Sequence, residues 1–270
     1  MILNATRAEA ARSRCHYVSP HGMHADVETY MGVNKALPGD APSPFALSLS
    51  KGACVQTPAP TEIDARGPSP NAYLVCQAPG AVLHPHFHEA DQFQVFVAGT
   101  GRIGTHAVEA VTVHFAAAHS PYGPVVAGPE GLQYLTLRRQ WDPGAQWMPD
   151  EAERLRGVRG RRHRTHTSDR IDAHAAMLPA AQACRATGVV EDGRAAAWVV
   201  ELGPGAVWGQ DTPADSFVYM LAGTAETHGA TLAPEGCLFA SQDEGAIRLT
   251  AGPLGARVLL AQFRAHTDDD

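Results

Sequence analysis

The chain has 270 residues, enough for one large domain or two of about 100 to 150 residues each. With 44% hydrophobic and 18% charged residues it can fill a core, which excludes disordered, collagen-like and coiled-coil chains. No apolar run approaches the ~20 residues of a membrane helix, and a net charge of −7 argues against nucleic acid as the main partner.

From the N-terminus, Arg7, Arg12 and Arg14 stand without an apolar stretch between them, so no secretory signal is read there. Thr6 and Glu9 have the spacing of a capping box that opens a short helix. An arm punctuated by Gly and Pro then runs to residue 70, and its irregularly spaced His16, His21 and His24 read as surface residues. Four apolar or alternating runs, Ala72 to Gln77, Phe93 to Ala98, Ala110 to Ala116 and Leu132 to Arg138, read as strands over 71–140. Residues 141–190 read as a linker. Its basic run, Arg154, Arg156, Arg159, Arg161, Arg162 and Arg164, is expected to be solvated. Short helices are expected at Asp150 to Arg156 and at Ile171 to Ala186, the latter interrupted by Pro179. Strands resume over 191–270, at Ala195 to Leu202, Phe217 to Ala222, Ile247 to Thr250 and Ala256 to Phe263, before a solvated Asp268-Asp269-Asp270 tail. The five cysteines, Cys15, Cys54, Cys76, Cys184 and Cys237, form no C-x-x-C pair, so neither a disulfide scaffold nor a thiolate zinc site is expected, and a reducing cytoplasm is.

The two strand sets repeat. Pro79-Gly80-Ala81-Val82 recurs as Pro204-Gly205-Ala206-Val207, and Ala98-Gly99-Thr100 as Ala222-Gly223-Thr224. Ala90, Asp91 and Phe93 recur as Ala214, Asp215 and Phe217. From Gly99 to Ala127 is 28 positions, as it is from Gly223 to Ala251. This is an internal duplication. Positions common to both copies are those the fold needs, so Asp91 reads as a turn or capping residue and Phe93 as core.

The first copy alone carries a histidine cluster, His84-Pro85-His86-Phe87-His88, followed by Gln92. In one continuous strand the three imidazoles would share a face, and neutral imidazole suits Fe, Cu, Ni or Zn. Here the sequence resembles the cupin superfamily, whose first motif is G, five residues, H-x-H, three or four residues, E, six residues, G. Gly80, His86, His88 and Gly99 fall on that motif, with Gln92 in place of the Glu. A second register, His84 and His86 with Asp91, displaces the closing glycine by one. The second family motif is met by Pro121-Tyr122-Gly123, but Val126 stands at its ligand position, so the usual fourth ligand is missing unless His84, His114 or His119 supplies it from elsewhere. In the second copy Gln210, Thr212 and Ser216 replace His86, His88 and Gln92, so that copy has lost the ligands.

The resemblance covers about 150 residues and implies an all-β bicupin: two double-stranded β-helix, jelly-roll-like barrels with a few short helices. It implies a divalent transition metal in the first barrel, iron foremost, with copper, nickel, manganese or zinc as alternatives. His86 and His88 would be its ligands, joined by Gln92 and by His84, which is equally a neighbour or rim residue. His119 and Tyr122 would lie in a loop at the barrel mouth, near substrate. Arg138 would either fork onto a substrate carboxylate or be an ordinary exposed strand-end residue. Gln94 shares the parity of Gln92 and lines the pocket or forms a lateral pair, and His114 reads as structural. The implied activity is a dioxygenase-like oxidoreductase on a small organic acid, phenol or diketone, with an anionic substrate and homodimeric pairing. A non-catalytic binding or sensing bicupin, and a cupin isomerase or lyase, are the alternatives.

Overall fold

The computed structural model describes residues 1–32, 68–158, 163–172, 176–178 and 184–264. Cys54, Arg159, Arg161, Arg162, Pro179 and the Asp268-Asp269-Asp270 tail lie outside them. The chain divides into an N-terminal unit, Ala10–Ile171, and a C-terminal unit made of Met1–Glu9 with Asp172–Asp270.

The first strand, β1 (Ile2–Ala5), belongs to the C-terminal unit, where it pairs with β18 (Cys237–Ala240). The capping box forms as expected: Thr6 N–H donates to Glu9 Oε2 at 2.8 Å and Glu9 N–H to Thr6 Oγ1 at 3.2 Å, opening a helix over Arg7–Ala11.

The N-terminal unit is built on a nine-stranded sheet. Its main path runs β12 (Thr165–Thr167), β9 (Thr112–Ala116), β7 (Gln92–Ile103), β10 (Val125–Arg138), β4 (Asn71–Gln77), β3 (His24–Met31), β2 (Cys15–Val18). β5 (Val82–Leu83) adds to β10 and β8 (His106–Glu109) to β7, while β6 (His86–Phe87) pairs separately with β11 (Gln146–Trp147). Residues from the arm and from the segment read as a linker thus extend this sheet. β3 takes part because Ala25, Val27 and Met31 bury apolar side chains while it pairs with β4. The helix expected near 150 spans Ala152–Arg156 and buries Leu155.

The C-terminal unit has an eight-stranded sheet with main path β1, β18, β16 (Asp215–Thr227), β19 (Arg248–Phe263), β14 (Ala195–Leu202), β13 (Cys184–Glu191). β15 (Val207–Gly209) and β17 (Ala230–Leu232) pair with β19 and β16. The helix expected at Ile171 to Ala186 is not found in its described part. Cys184 to Ala186 are strand, because β13 finds a partner in β14, with Cys184 opposite Leu202 and Ala186 opposite Val200.

The duplication is structural at the atomic level. Gly99 and Gly223, 124 positions apart, have φ of +76° and +71°. A Cβ added to either would sit 2.2 Å from Gly131 O or 2.1 Å from Gly255 O. Asp91 Oδ1 accepts the Ala118 N–H at 2.7 Å, and Asp215 Oδ1 the Gln242 N–H at 2.8 Å, so both aspartates cap as expected. Phe93 and Phe217 are fully buried.

The two interiors differ in chemistry. Strand alternation puts Val218 and Met220 of β16, Leu238 of β18, and Val258 and Leu260 of β19 into one aliphatic cluster, each worth about 1.5–3 kcal/mol of burial. In the N-terminal unit the same face carries Phe96 and Tyr134 of the apolar cluster, and it continues along β7, β9 and β10 as Gln92, Gln94, His114, Thr136 and Arg138, all buried. Among the described residues every buried histidine lies in the N-terminal unit.

Candidate functional site

His86 is fixed by two neighbours. Trp147 of β11 pairs with it, and its backbone exchanges hydrogen bonds with Tyr122, His86 N–H to Tyr122 O at 3.1 Å and Tyr122 N–H to His86 O at 3.0 Å. This bridge carries the Tyr122 side chain to the imidazole. His86 Nδ1 lies 2.7 Å from the His84 carbonyl, which can only accept, so Nδ1 carries the proton and Nε2 the lone pair. That lone pair receives the Tyr122 O–H at 2.8 Å.

Gln92 opens β7 and Arg138 closes β10, and the two are cross-strand partners. Arg138 donates from Nε at 3.0 Å and Nη2 at 2.8 Å to the one oxygen, Gln92 Oε1. The other end of the amide, Gln92 Nε2, donates to Tyr122 Oη at 2.5 Å. A one-way chain of donors therefore runs from the guanidinium through Gln92, Tyr122 and His86 to the His84 carbonyl, each bond polarising the next.

His88 is held by Asp142, a residue the sequence reading did not single out. Its Nδ1 donates to Asp142 Oδ1 at 2.6 Å, which leaves Nε2 with a lone pair. Asp142 also accepts from Glu89 N–H at 2.9 Å, Ala90 N–H at 3.2 Å and Gly144 N–H at 2.8 Å, clamping the turn after His88. The only hint in the sequence was an acid in the Asp142-Pro143-Gly144 turn signal after β10. Arg138 Nη2 lies 3.2 and 3.1 Å from the two ring nitrogens of His88. Near-equal distances place it between them rather than along either lone pair.

The electrostatics follow from burial. Desolvation, with His88 next in effect, pushes His86 down to about 3, and desolvation together with the Arg138 charge lowers His88. Desolvation alone would raise Asp142, but the His88 and Arg138 charges and hydrogen bonds from His88 and the Gly144 N–H hold it well below the usual carboxylate range. Burial raises the Tyr122 phenol. For Arg138, burial pulls downward and is outweighed by Tyr73, Asp142 and Tyr122, so it stays charged. Its guanidinium sits 5.6 Å from the Tyr73 ring centroid and 3.7 Å from Asp142 Oδ1. At neutral pH the site holds two neutral imidazoles, a neutral phenol and a compensated Arg–Asp pair.

The structure thus brings together His86, His88, Gln92, Tyr122 and Arg138. Arg138 is 5% exposed, which corrects the exposed strand-end reading: pairing with Gln92 and Asn71 on both sides buries it. The other expected residues lie apart. β5 ends at Leu83 and β6 begins at His86, so strand alternation does not carry across His84. Its ring stacks on His21, with centroids 4.5 Å apart. His119, at φ +61°, donates its backbone N–H to His88 O at 2.7 Å and sets its ring 6.2 Å from that of Phe87. Val126 lies between Val125 and Ala127 of the interior cluster and therefore faces the other side of β10. His16 and His24 are exposed on β2 and β3, with His16 Nε2 3.1 Å from His24 Nδ1.

A divalent metal needs neutral imidazoles whose far nitrogens are anchored. His86 and His88 meet that condition, through the His84 carbonyl and Asp142. The Tyr122 O–H occupies the His86 Nε2 lone pair at 2.8 Å, so a metal at that nitrogen would displace this hydrogen bond. Gln92 Oε1 is engaged by Arg138, and among the described residues no three His, Cys, Asp or Glu side chains converge on one point. The fit is therefore to two anchored imidazoles, with the phenol as their neutral neighbour.

No family profile matches the chain, and no curated protein matches its sequence. Solved structures do match. A candidate dioxygenase from Nostoc punctiforme is 10% identical, with a TM-score of 0.54 over 98% of this chain and 79% of that one. The bacterial pirin YhhW from Escherichia coli, solved with nickel(II), is 12% identical with a TM-score of 0.56 over 98% of this chain and 100% of that one. Oxalate decarboxylase from Bacillus subtilis, with Mn(II) centres, is 11% identical with a TM-score of 0.53 over 99% and 78%. At these identities the likeness shows the fold, and the fold is that of a bicupin, two all-β barrels in one chain.

Proposed function

Taking the bicupin fold as the premise, we propose that the N-terminal barrel is a metal-dependent enzyme site for a small organic molecule. His86 and His88 are its metal ligands, and Tyr122 is the neighbouring phenol whose hydrogen bond a metal at His86 would displace. The observation that carries this reading is the double anchoring of the imidazoles, His86 Nδ1 on the His84 carbonyl at 2.7 Å and His88 Nδ1 on Asp142 at 2.6 Å, which aims both Nε2 lone pairs away from their anchors. A divalent transition metal would supply Lewis acidity and, for a redox-active ion, electron transfer. The chain's own groups supply the rest. Asp142 orients His88, Tyr122 holds its proton at Oη, and Gln92 with Arg138 fixes the orientation of that phenol. The likeness to a candidate dioxygenase supports an oxidoreductase that adds both atoms of dioxygen to an organic acid, phenol or diketone.

A second reading is a metal-free binding barrel. It is favoured by Arg138, whose guanidinium occupies Gln92 Oε1 and lies against His88, so that a fixed cation sits beside one of the two imidazoles a metal would need. Elemental analysis of untagged protein, beside His86→Ala, separates the two. Near one transition metal per chain, absent in the variant, supports the enzyme and justifies oxygen-uptake screens. No metal in either leaves the binding barrel.

A further inference from the structure

We propose that Gln94 and His114 form a second, deeper subsite of the N-terminal barrel that takes the neutral hydroxyl of a small phenol- or enol-type ligand. This deepens the reading above by naming the ligand class, and it stands with or without a metal at His86 and His88.

Gln94 of β7 and His114 of β9 are direct cross-strand partners. They are 2% and 3% exposed, yet Gln94 Oε1 and His114 Nε2 have no hydrogen-bond partner. Buried polar atoms without partners are costly, and a native structure keeps few of them. Both belong to the interior face. Gln94 is two residues from Gln92 on the same side of β7, and the His114 ring lies 5.3 Å from that of Tyr122. The subsite therefore adjoins the His86–Tyr122–Gln92 chain rather than forming a separate surface feature.

The repeat shows that the strands do not require these residues. Their counterparts 124 positions on are Val218 and Leu238, both buried in the aliphatic cluster of the C-terminal unit. The same backbone thus closes with apolar side chains in one copy and keeps two unsatisfied polar atoms in the other. A ligand that supplies the missing partners accounts for the difference.

The chemistry selects a hydroxyl. His114 Nδ1 is 2.9 Å from Thr167 Oγ1, and the hydroxyl of that threonine can accept or donate, so Nε2 can play either role. A ligand O–H can donate to Gln94 Oε1 while its oxygen accepts from His114 Nε2–H. A carboxylate or ammonium would be buried here without a counter-charge, because the nearby guanidinium of Arg138 already faces Asp142.

The test compares phenol with toluene, which has the same ring and no hydroxyl, by calorimetry on the full chain as purified and after chelator treatment. The variant is Gln94→Val with His114→Leu, the residues of the sister copy. Wild type should bind phenol at least 10-fold tighter than toluene in both preparations. The double variant should lose that preference, melt no lower than wild type and keep the wild-type metal content. Equal binding of the two probes by wild type, or a phenol preference that survives in the variant, overturns the proposal. So does a lowered melting temperature in the variant, which would assign the pair to a structural role such as holding an internal water. Absence of metal, with the phenol preference intact, would remove the enzyme reading and leave the subsite standing.

Discussion

Arg138 and Gln92 face each other across β10 and β7, and the guanidinium places two of its N–H donors, at 3.0 and 2.8 Å, on one amide oxygen. The same pair of positions in the other copy is Gln262 and Ser216, where the amide donates to the hydroxyl at 2.9 Å. A lateral side-chain bond is thus a property of the repeat, while its charge belongs to the N-terminal copy alone. Because that charge is buried, it needs Asp142, and because Asp142 also holds His88, the pair ties the strand ends to the candidate site.

Removing the cation should therefore be expensive. Arg138→Leu leaves Asp142 buried without its compensating charge and is expected to destabilise the N-terminal unit by about 3–5 kcal/mol. Arg138→Lys keeps a charge but not the pair of hydrogen bonds to Gln92 Oε1, and should cost about 1–2 kcal/mol. Denaturant unfolding of the three proteins gives the order directly.

Asp142→Asn keeps the size of the side chain, removes its charge and turns one of its two accepting oxygens into a donor that faces N–H groups. If His88 is a metal ligand, its weakened anchor should lower metal affinity about 10- to 100-fold, read by competition with a chromogenic chelator. His119→Ala, which alters a ring 6.2 Å from that of Phe87, should leave the affinity unchanged.

His114 predicts the acid response. Desolvation, followed by His106 and His166, lowers it to about 3 from an ordinary 6.5, so between those values the unfolded chain binds a proton that the folded chain does not. Stability is then full above pH 6.5 and falls as the pH drops below it, by up to about 1.4 kcal/mol per pH unit. His86 and His88 are lowered by burial as well, so His114→Leu should reduce, without abolishing, the fall in melting temperature between pH 7 and pH 5. An unchanged slope in that variant would assign the acid sensitivity to other groups.

Gly99→Ala and Gly223→Ala should damage the two copies alike. Each adds a Cβ closer than 2.5 Å to a carbonyl oxygen at a positive φ. Either is expected to cost about 1–3 kcal/mol in backbone strain alone, with the clash in addition. Gly80→Ala, at φ +70° with nothing within 4 Å, should cost less, and thermal melts of the three variants rank them.

The strands and the duplication were legible because both are written in local patterns. Alternation and Gly–Pro punctuation mark β4, β7, β9 and β10, and the twin glycines and aspartates recur at fixed spacing because each copy needs the same turn and the same cap. The helix expected at 171–186 failed in its described part because local propensity does not register that β14 offers an open edge to Cys184–Glu191. His84 was placed beside His86 and His88 by alternation, which holds only along an unbroken strand.

The sequence by itself determined a two-copy β chain, one copy of which carries His86, His88 and Gln92 where the other carries Gln210, Thr212 and Ser216. Tertiary structure decided which of those groups meet. Asp142 reaches His88 from 54 positions away, Tyr122 reaches His86 through a backbone bridge, and Arg138 is buried by strands on both sides. The physical reason is that pattern reports a residue's face on its own strand, whereas hydrogen-bond partners and lost solvent come from neighbouring strands and loops that only the closed sheet brings near.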